Sequence, residues 1–343
     1  MSRIVIQTGA RLHFGLLALG QSPPDGSEPG TGREFGGVGL MVKSPGFRIS
    51  LAPNSPIENL ADSIVHLGSS PAPALELIDR VGRILSRYRE RCPAEFRPAG
   101  MQIELQETVS QHIGLGTGTQ LALAIARGLA EIMGEGPLPV SELARRVDRG
   151  QRSAIGLYGF EHGGLLVEGG KKDRSSVSPL IARLAVPAGW RFLLARPREF
   201  VGLSGEAECQ GFRQLSAMPT AVTDRLCRLL LMGLLPSVSE GDFAGFCQSL
   251  QSYGDTVGQF FASVQTGVYA STRMAELSEI LHRQGIVGIA QTSWGPTVAI
   301  PCEGVAFAEH WHQKLSGDTY WRDCQFEIVS PMNTGARLSS RER

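Results

Sequence analysis

The stretch Gly114-Leu115-Gly116-Thr117-Gly118-Thr119 decides how the rest of the chain is read. A helix predicted over Thr119 to Met133 follows it directly and stops at Gly134 and Gly136. Glycines adopt positive φ without strain and let backbone come close to a ligand. The helix behind them offers unpaired N–H groups and the positive end of its dipole. Such a turn cradles phosphate or diphosphate, with the hydroxyls of Thr117 and Thr119 as further donors. A plain strand-to-helix turn would carry the same glycines. No Lys follows the last glycine, so this is not a Walker A loop. It is also a poor dinucleotide fingerprint, because it lies deep in the chain and lacks an acidic residue about 20 positions on.

Outward from this loop, hydrophobic periodicity gives a mixed chain. Arg3 to Thr8 reads as the first strand. Gly9 to Gly37 reads as loop-rich, with Gln21 to Gly32 as a mobile surface loop. Phe47, Ile49 and Leu51 alternate with polar or small residues, as do Met101, Ile103 and Leu105, which predicts two half-buried strands. Between them Leu75, Ile78, Val81 and Leu85 recur at helical spacing. Arg80, Arg83 and Arg87 fall on another face, expected to be solvated. Gly163 to Glu168 is another expected strand.

Near residue 185 the pattern restarts. Trp190 to Ala195 reads as a strand, followed by helices at 221–235, 240–252 and 262–284. Val287 to Gln291, Thr297 to Ile300 and Gln325 to Val329 read as short strands. The expectation is an α+β chain with a loop-bearing lobe over 1–185, a second lobe over 186–335 and a polar, frayed tail over 336–343.

Composition narrows the function. The 343 residues are 42% hydrophobic, enough for a sizeable core. The 33 basic and 33 acidic side chains cancel, which argues against a general nucleic-acid or membrane-surface binder. None of the six cysteines forms a Cys-x-x-Cys pair, so reduced thiols in the cytoplasm are expected. The apolar run Ile4-Val5-Ile6 is too short for a signal peptide. No stretch approaches the roughly 20 apolar residues of a membrane span. His310 and His312 stand two apart on an expected surface helix and do not face each other.

Five further segments carry candidate chemistry. In Gly9-Ala10-Arg11-Leu12-His13-Phe14-Gly15, Arg11 and His13 share one face of an extended chain. Arg11 could clamp a phosphate or carboxylate, and His13 could carry a proton or donate a hydrogen bond. Equally, Arg11 could pair structurally and His13 sit satisfied in the core. Gly36 and Gly37 suggest backbone close to a substrate, or a bulge. Arg152 and Ser153 precede a glycine and suit an anion. Glu161 and His162 are an adjacent acid and imidazole, candidates for acid/base work or for a structural role. Glu206, in Gly202-Leu203-Ser204-Gly205-Glu206, suits a metal or a developing cation, or is a solvated acid. Ser293 and Trp294 lie in Gln291-Thr292-Ser293-Trp294-Gly295-Pro296, where Trp294 could stack on an aromatic substrate or fill core volume.

Taken together, the six segments resemble a known family. Gln111 to Ala122 resembles the GHMP-superfamily signature P-x-x-x-G-L-G-S-S-A, with Thr-Gly-Thr-Gln in place of Ser-Ser-Ala. Arg11 to Phe14, the run Gly36-Gly37-Val38-Gly39-Leu40, Arg152 through Gly170 and Gly202 to Glu206 are similar to segments of the β-ribofuranosylaminobenzene 5′-phosphate synthases. The resemblance implies a GHMP-kinase-like two-lobed fold, with a ribosomal protein S5 domain 2-like N-terminal lobe and a ferredoxin-like C-terminal lobe. It implies phosphoribosyl transfer from 5-phosphoribosyl 1-diphosphate to 4-aminobenzoate, or a related 4-hydroxybenzoate, with release of carbon dioxide and pyrophosphate. That is an early step of tetrahydromethanopterin biosynthesis. It further implies small-molecule partners, a homodimer, and Mg²⁺ with Glu206 as a ligand. It implies no organic cofactor. ATP is not expected, because the loop departs at the hydroxyl that commonly touches magnesium. An ATP-dependent GHMP-type kinase and a non-catalytic binding protein are the alternatives.

Overall fold

The computed structural model describes residues 3–20, 32–54, 61–67, 74–173, 176–200, 202, 205–265 and 267–341, with backbone alone at 74, 205–209 and 341. The expected surface loop Gln21 to Gly32 lies outside these residues except for Gly32.

In chain order the first half holds β1 (Arg3–Gln7), β2 (Ala10–Ala18), β3 (Phe35–Val42), β4 (Arg48–Pro53), β5 (Ser63–His66), α1 (Ala74–Arg91) and β6 (Met101–Glu107). Then come α2 (Thr117–Ile132), α3 (Val140–Arg146), α4 (Ile155–His162), β7 (Leu165–Glu168) and β8 (Leu180–Leu184). The second half holds β9 (Arg191–Pro197), α5 (Gly205–Gln214), α6 (Thr220–Leu229), α7 (Leu235–Glu240), α8 (Phe243–Phe261) and α9 (Thr272–Arg283). It closes with β10 (Ala290–Gln291), β11 (Val298–Cys302), α10 (Val305–Gly317), β12 (Cys324–Val329) and β13 (Arg337–Arg341).

Three sheets result. One has the order β13-β1-β4-β6-β5, a second β2-β3-β7-β8, and a third β10-β11-β9-β12. The third is built from a strand, helices, two strands, a helix and a strand, with its first and third strands at the centre. That is the ferredoxin-like arrangement expected of the C-terminal lobe. α2 packs on β1 and β4 and is buried on almost every side. Gly128 permits this, because a Cβ there would crowd the side chains of Leu51 and Ile6.

Four expectations are corrected. Gly9 to Gly37 is not loop-rich throughout, because it contains β2 and the start of β3. β2 is buried on both faces, so its sequence shows no alternation to announce a strand. The expected helix at 262–284 is shorter, since α8 continues to Phe261 and α9 begins at Thr272. The buried stripe of α1 is Leu77, Val81, Ile84, Leu85 and Tyr88, and Leu75 is 78% exposed. The helix is therefore rotated toward Arg80 relative to the expected face. Tyr88 helps to fix that rotation: the buried Arg146 of α3 donates to its hydroxyl at 2.9 Å and to Glu135 at 2.6 Å.

The last correction concerns the polar tail. Residues 337–341 form β13, paired antiparallel with β1 from Arg3↔Arg341 to Gln7↔Arg337. β1 would otherwise present an open row of backbone donors and acceptors on that side, and a strand of four polar residues and Leu338 satisfies it through its backbone. One large core joins strands of both ends of the chain with α6 and α8, from Ile4 through Phe246 to Val329. A second lies between the third sheet and α9 and α10.

Candidate active site

The glycine-rich loop takes the positive φ that its glycines allow and leads directly into α2. Gly114 and Gly116 take φ of 82° and 63°, and Gly116 caps α2 in the left-handed region. A Cβ at Gly114 would stand 2.7 Å from the Thr292 carbonyl oxygen, and one at Gly116 would stand 2.8 Å from Arg11 Nε. These glycines keep neighbouring strands and side chains close to the mouth of α2.

Three segments are laced to this mouth. The Arg11 amide donates to the Leu115 carbonyl at 3.0 Å, which places β2 along the loop. Thr292 Oγ1 donates to the Gly114 carbonyl at 2.8 Å and accepts from the His13 amide at 2.9 Å. Thr297 Oγ1 donates to the Ile113 carbonyl at 2.6 Å. The Gly202 amide donates to the His112 carbonyl at 2.9 Å, so the chain leading to α5 starts at the same place.

Two adjoining cavities open there. One, of about 520 Å³, is polar and is walled by the loop from His112 to Gly118 with Arg11 and Arg80. The other, of about 690 Å³, is mostly apolar. Phe212, Val257, Phe261 and Trp294 wall it, and Gly254 and Gly258 of α8 form part of its lining beside His13, Arg152 and Ser153. Arg11, Ser293 and Trp294 belong to both cavities. Arg11 Nη2 donates to Ser293 Oγ at 3.2 Å at this junction.

His13 is buried, and among the described residues its Nε2 has no hydrogen-bond partner. Burial, and then the charge of Arg11, hold its imidazole well below the usual 6.5, so it is neutral at physiological pH. A register shift between His13 and Gly15 marks a bulge in β2 that aims this stretch at the cavity. Trp294 packs edge-on against Phe212 at 5.0 Å and Phe261 at 4.9 Å between centroids. It fills core volume and presents a surface to both cavities at once. The Arg152 guanidinium lies 5.3 Å from the Phe212 ring centre. The turn carrying Arg152 and Ser153 is pinned by buried Glu168, which accepts from the Ala154 amide at 2.6 Å. Burial pushes that carboxyl upward, opposed by the Ala154 hydrogen bond and the charge of Arg11.

The structure thus brings together Arg11, His13, Arg152, Ser153, Ser293, Trp294 and the loop from Gly114 to Gly118. Thr119 follows inside α2 and lines neither cavity. Gly36 and Gly37 line neither cavity. Both are glycine for packing reasons: a Cβ at Gly37 would strike the Gly15 carbonyl and press on His13 Nε2, and one at Gly36 would crowd Gly170. Glu161 sits exposed at the far end of α4 from Arg152, 3.4 Å from His162, and also lines neither cavity. Glu206 falls on α5, and its side chain lies outside the described residues.

Sequence reasoning missed Arg80, Phe212, Phe261 and the α8 glycines. Arg80 looked like one of three solvated arginines, and only the rotation of α1 separates it from the others. The signal for α8 was Gly254 and Gly258 four apart on one helix face, a spacing that opens a groove.

Magnesium prefers oxygen ligands, typically carboxylates beside substrate phosphates. Among the described residues the cavities are lined by Arg11, Arg80 and Arg152 and by no Asp or Glu. No group of three His, Cys, Asp or Glu among the described residues is placed to hold a metal. This lining fits an anion and does not fit a protein-held magnesium ion. No helix of the described residues is long and apolar enough to cross a membrane.

Comparison with known proteins agrees with the fold and the loop. Residues 78–164, which include the glycine-rich turn, match the GHMP kinases N terminal domain family. A homoserine kinase from Cytophaga hutchinsonii superposes with a TM-score of 0.66 at 14% identity, covering 98% of this chain and 97% of that one. Mevalonate-3-kinase from Thermoplasma acidophilum gives 0.62 at 14% identity, with 99% of both chains covered. These likenesses establish a GHMP-kinase fold. Closer in sequence are two proteins named beta-ribofuranosylphenol 5'-phosphate synthase. The Archaeoglobus fulgidus protein is 31% identical over 262 residues, 72% of this chain and 74% of that one. The Methanothermobacter thermautotrophicus protein is 28% identical over 316 residues, 86% and 87% respectively. With that identity over most of both chains, and with the same fold, this chain belongs to the β-ribofuranosylphenol 5′-phosphate synthase family.

Proposed function

We propose that this protein transfers the phosphoribosyl group of 5-phosphoribosyl 1-diphosphate to the ring carbon of a 4-substituted benzoate, releasing pyrophosphate and carbon dioxide. One observation carries this. A polar cavity built from backbone amides and arginines adjoins an aromatic cavity, and the two share Arg11. A charged leaving group and a flat aromatic acceptor need that pairing.

In the proposed reaction the diphosphate sits at the mouth of α2. The loop amides and the guanidiniums stabilise the charge it gains on leaving. The benzoate ring occupies the aromatic cavity against Trp294 and Phe212. Arg152 and Arg11 are placed to hold carboxylate or sugar phosphate. The ring carbon bearing the carboxylate attacks the anomeric carbon as the C–O bond to diphosphate breaks. Loss of carbon dioxide then returns the C–C electron pair to the ring and restores aromaticity. The electron sink is the substrate itself, so no step calls on ATP or an organic cofactor.

The relatives are named for a phenol product, which favours 4-hydroxybenzoate over 4-aminobenzoate as acceptor. A neutral imidazole with an open Nε2 supports that choice. It can accept the phenol proton, which makes the ring more electron-rich, and return it as aromaticity is restored. The pathway proposed is methanopterin biosynthesis. The described free thiols support a cytoplasmic location. A homodimer is supported by Leu231 and Met232, which are 64% and 72% exposed side by side.

The test is incubation with 5-phosphoribosyl 1-diphosphate and each carboxyl-labelled benzoate. Labelled carbon dioxide should appear in step with pyrophosphate, faster from 4-hydroxybenzoate. Pyrophosphate release without labelled gas from either acid would refute the transfer.

A further inference from the structure

We infer that Arg80 of α1 is a diphosphate-binding residue, seated over the mouth of α2 in space that Gly118 leaves open. The assignment rests on the diphosphate reading of the polar cavity. A Cβ added at Gly118 would collide with Arg80 Nη2 and crowd its Cζ, so the guanidinium lies directly over the first turn of α2. Arg80 lines the polar cavity with Gly116, Thr117 and Gly118. It makes no hydrogen bond or ion pair with any described residue. Burial, and then the charges of Arg149 and Arg83, bring it down to about 10, opposed by Glu76. Arg149 is itself half-buried, and its Nε has no hydrogen-bond partner among the described residues. The Arg80 guanidinium, lining the polar cavity with no hydrogen-bond or ion-pair partner among the described residues, is matched by an anion. A diphosphate gripped below by the α2 amides and above by the Arg80 fork would be held on two sides. α1 is fixed in rotation by the Tyr88–Arg146–Glu135 hydrogen bonds, so the fork stands ready before the ligand arrives.

The geometry allows a test that leaves Arg80 in place. Gly118→Ala should push the flexible guanidinium aside without disturbing backbone, and alanine favours the helix over glycine. Titration calorimetry with inorganic pyrophosphate, in buffer containing magnesium, should give an affinity about tenfold to a hundredfold weaker for both Gly118→Ala and Arg80→Gln, as expected for one lost charge-assisted contact. The unfolding midpoint of Gly118→Ala should equal or exceed that of wild type, which a merely structural role for Arg80 would not give. The double variant should bind no worse than either single one, since both remove the same contact. Unchanged pyrophosphate affinity in both variants would overturn the assignment alone. A wild-type protein that bound no pyrophosphate would overturn it together with the diphosphate reading.

Discussion

The two cavities meet at Arg11, Ser293 and Trp294 yet are built by opposite means. The polar one is largely backbone. Its charge preference comes from amides at one helix end and from guanidiniums that reach over it. The aromatic one is largely side chain, assembled from β2, α5, α8 and the turn before Pro296. Backbone recognition suits a group that must leave, because preorganised dipoles stabilise charge as it develops without reorganising. Side-chain shape suits a group that must be selected, because ring faces and a few polar atoms fix orientation. In the proposed reaction the single guanidinium shared at the junction, Arg11, would couple leaving to attack.

Changes that hit the junction should do the most damage. Arg11→Met removes a cation from both cavities at once. We expect kcat/KM to fall by about 10³-fold or more, with KM for both substrates affected, as for two lost charged contacts. Steady-state kinetics with each substrate varied would show it. An effect confined to one substrate would mean the cavities are not coupled through Arg11.

Changes confined to the aromatic side come next. Arg152→Gln should raise KM for the benzoate by about tenfold to a hundredfold and leave the pyrophosphate dissociation constant unchanged. That is the mirror image of the Arg80 variants. If Arg152→Gln weakened pyrophosphate instead, Arg152 would belong to the sugar-phosphate side and the division drawn above would shift.

A smaller effect should appear with pH. His13 is held well below 6.5 by burial and by Arg11, whereas in the unfolded chain it titrates normally. Below about 6.5 the unfolded state binds the proton first, so stability is lost as pH falls, by up to about 1.4 kcal/mol per unit. His13→Gln should flatten that part of the slope in denaturant melts at pH 7 and 5.5. Identical slopes would show that the imidazole is not held neutral.

The smallest effect is expected outside both cavities. Glu161→Gln should leave turnover within about twofold, since the carboxyl is exposed at the far end of α4. A loss of tenfold or more in kcat would return Glu161 to the site.

The loop that walls the polar cavity was legible in sequence because its residues are consecutive. Gly114 to Gly118 and the helix behind them form one local unit, and positive φ at Gly114 and Gly116 is a property that sequence can signal. Arg11 and His13 were legible for a related reason: two residues apart on a strand always share a face. Glu161 lies away from both cavities, and adjacency to His162 says nothing about which end of α4 meets them.

What the sequence by itself determined is the set of short-range units: a loop that presents amides, a strand with Arg11 and His13 on one side, and the helices that follow. What only the tertiary structure decided is their mutual placement. The rotation of α1 that brings Arg80 over Gly118, the pairing of a polar C-terminal strand with β1, and the convergence of Phe212, Phe261 and Trp294 all join residues far apart in the chain. Local patterns fix backbone conformation over a few residues. Contacts of long sequence separation follow from packing the whole core, which no single segment encodes.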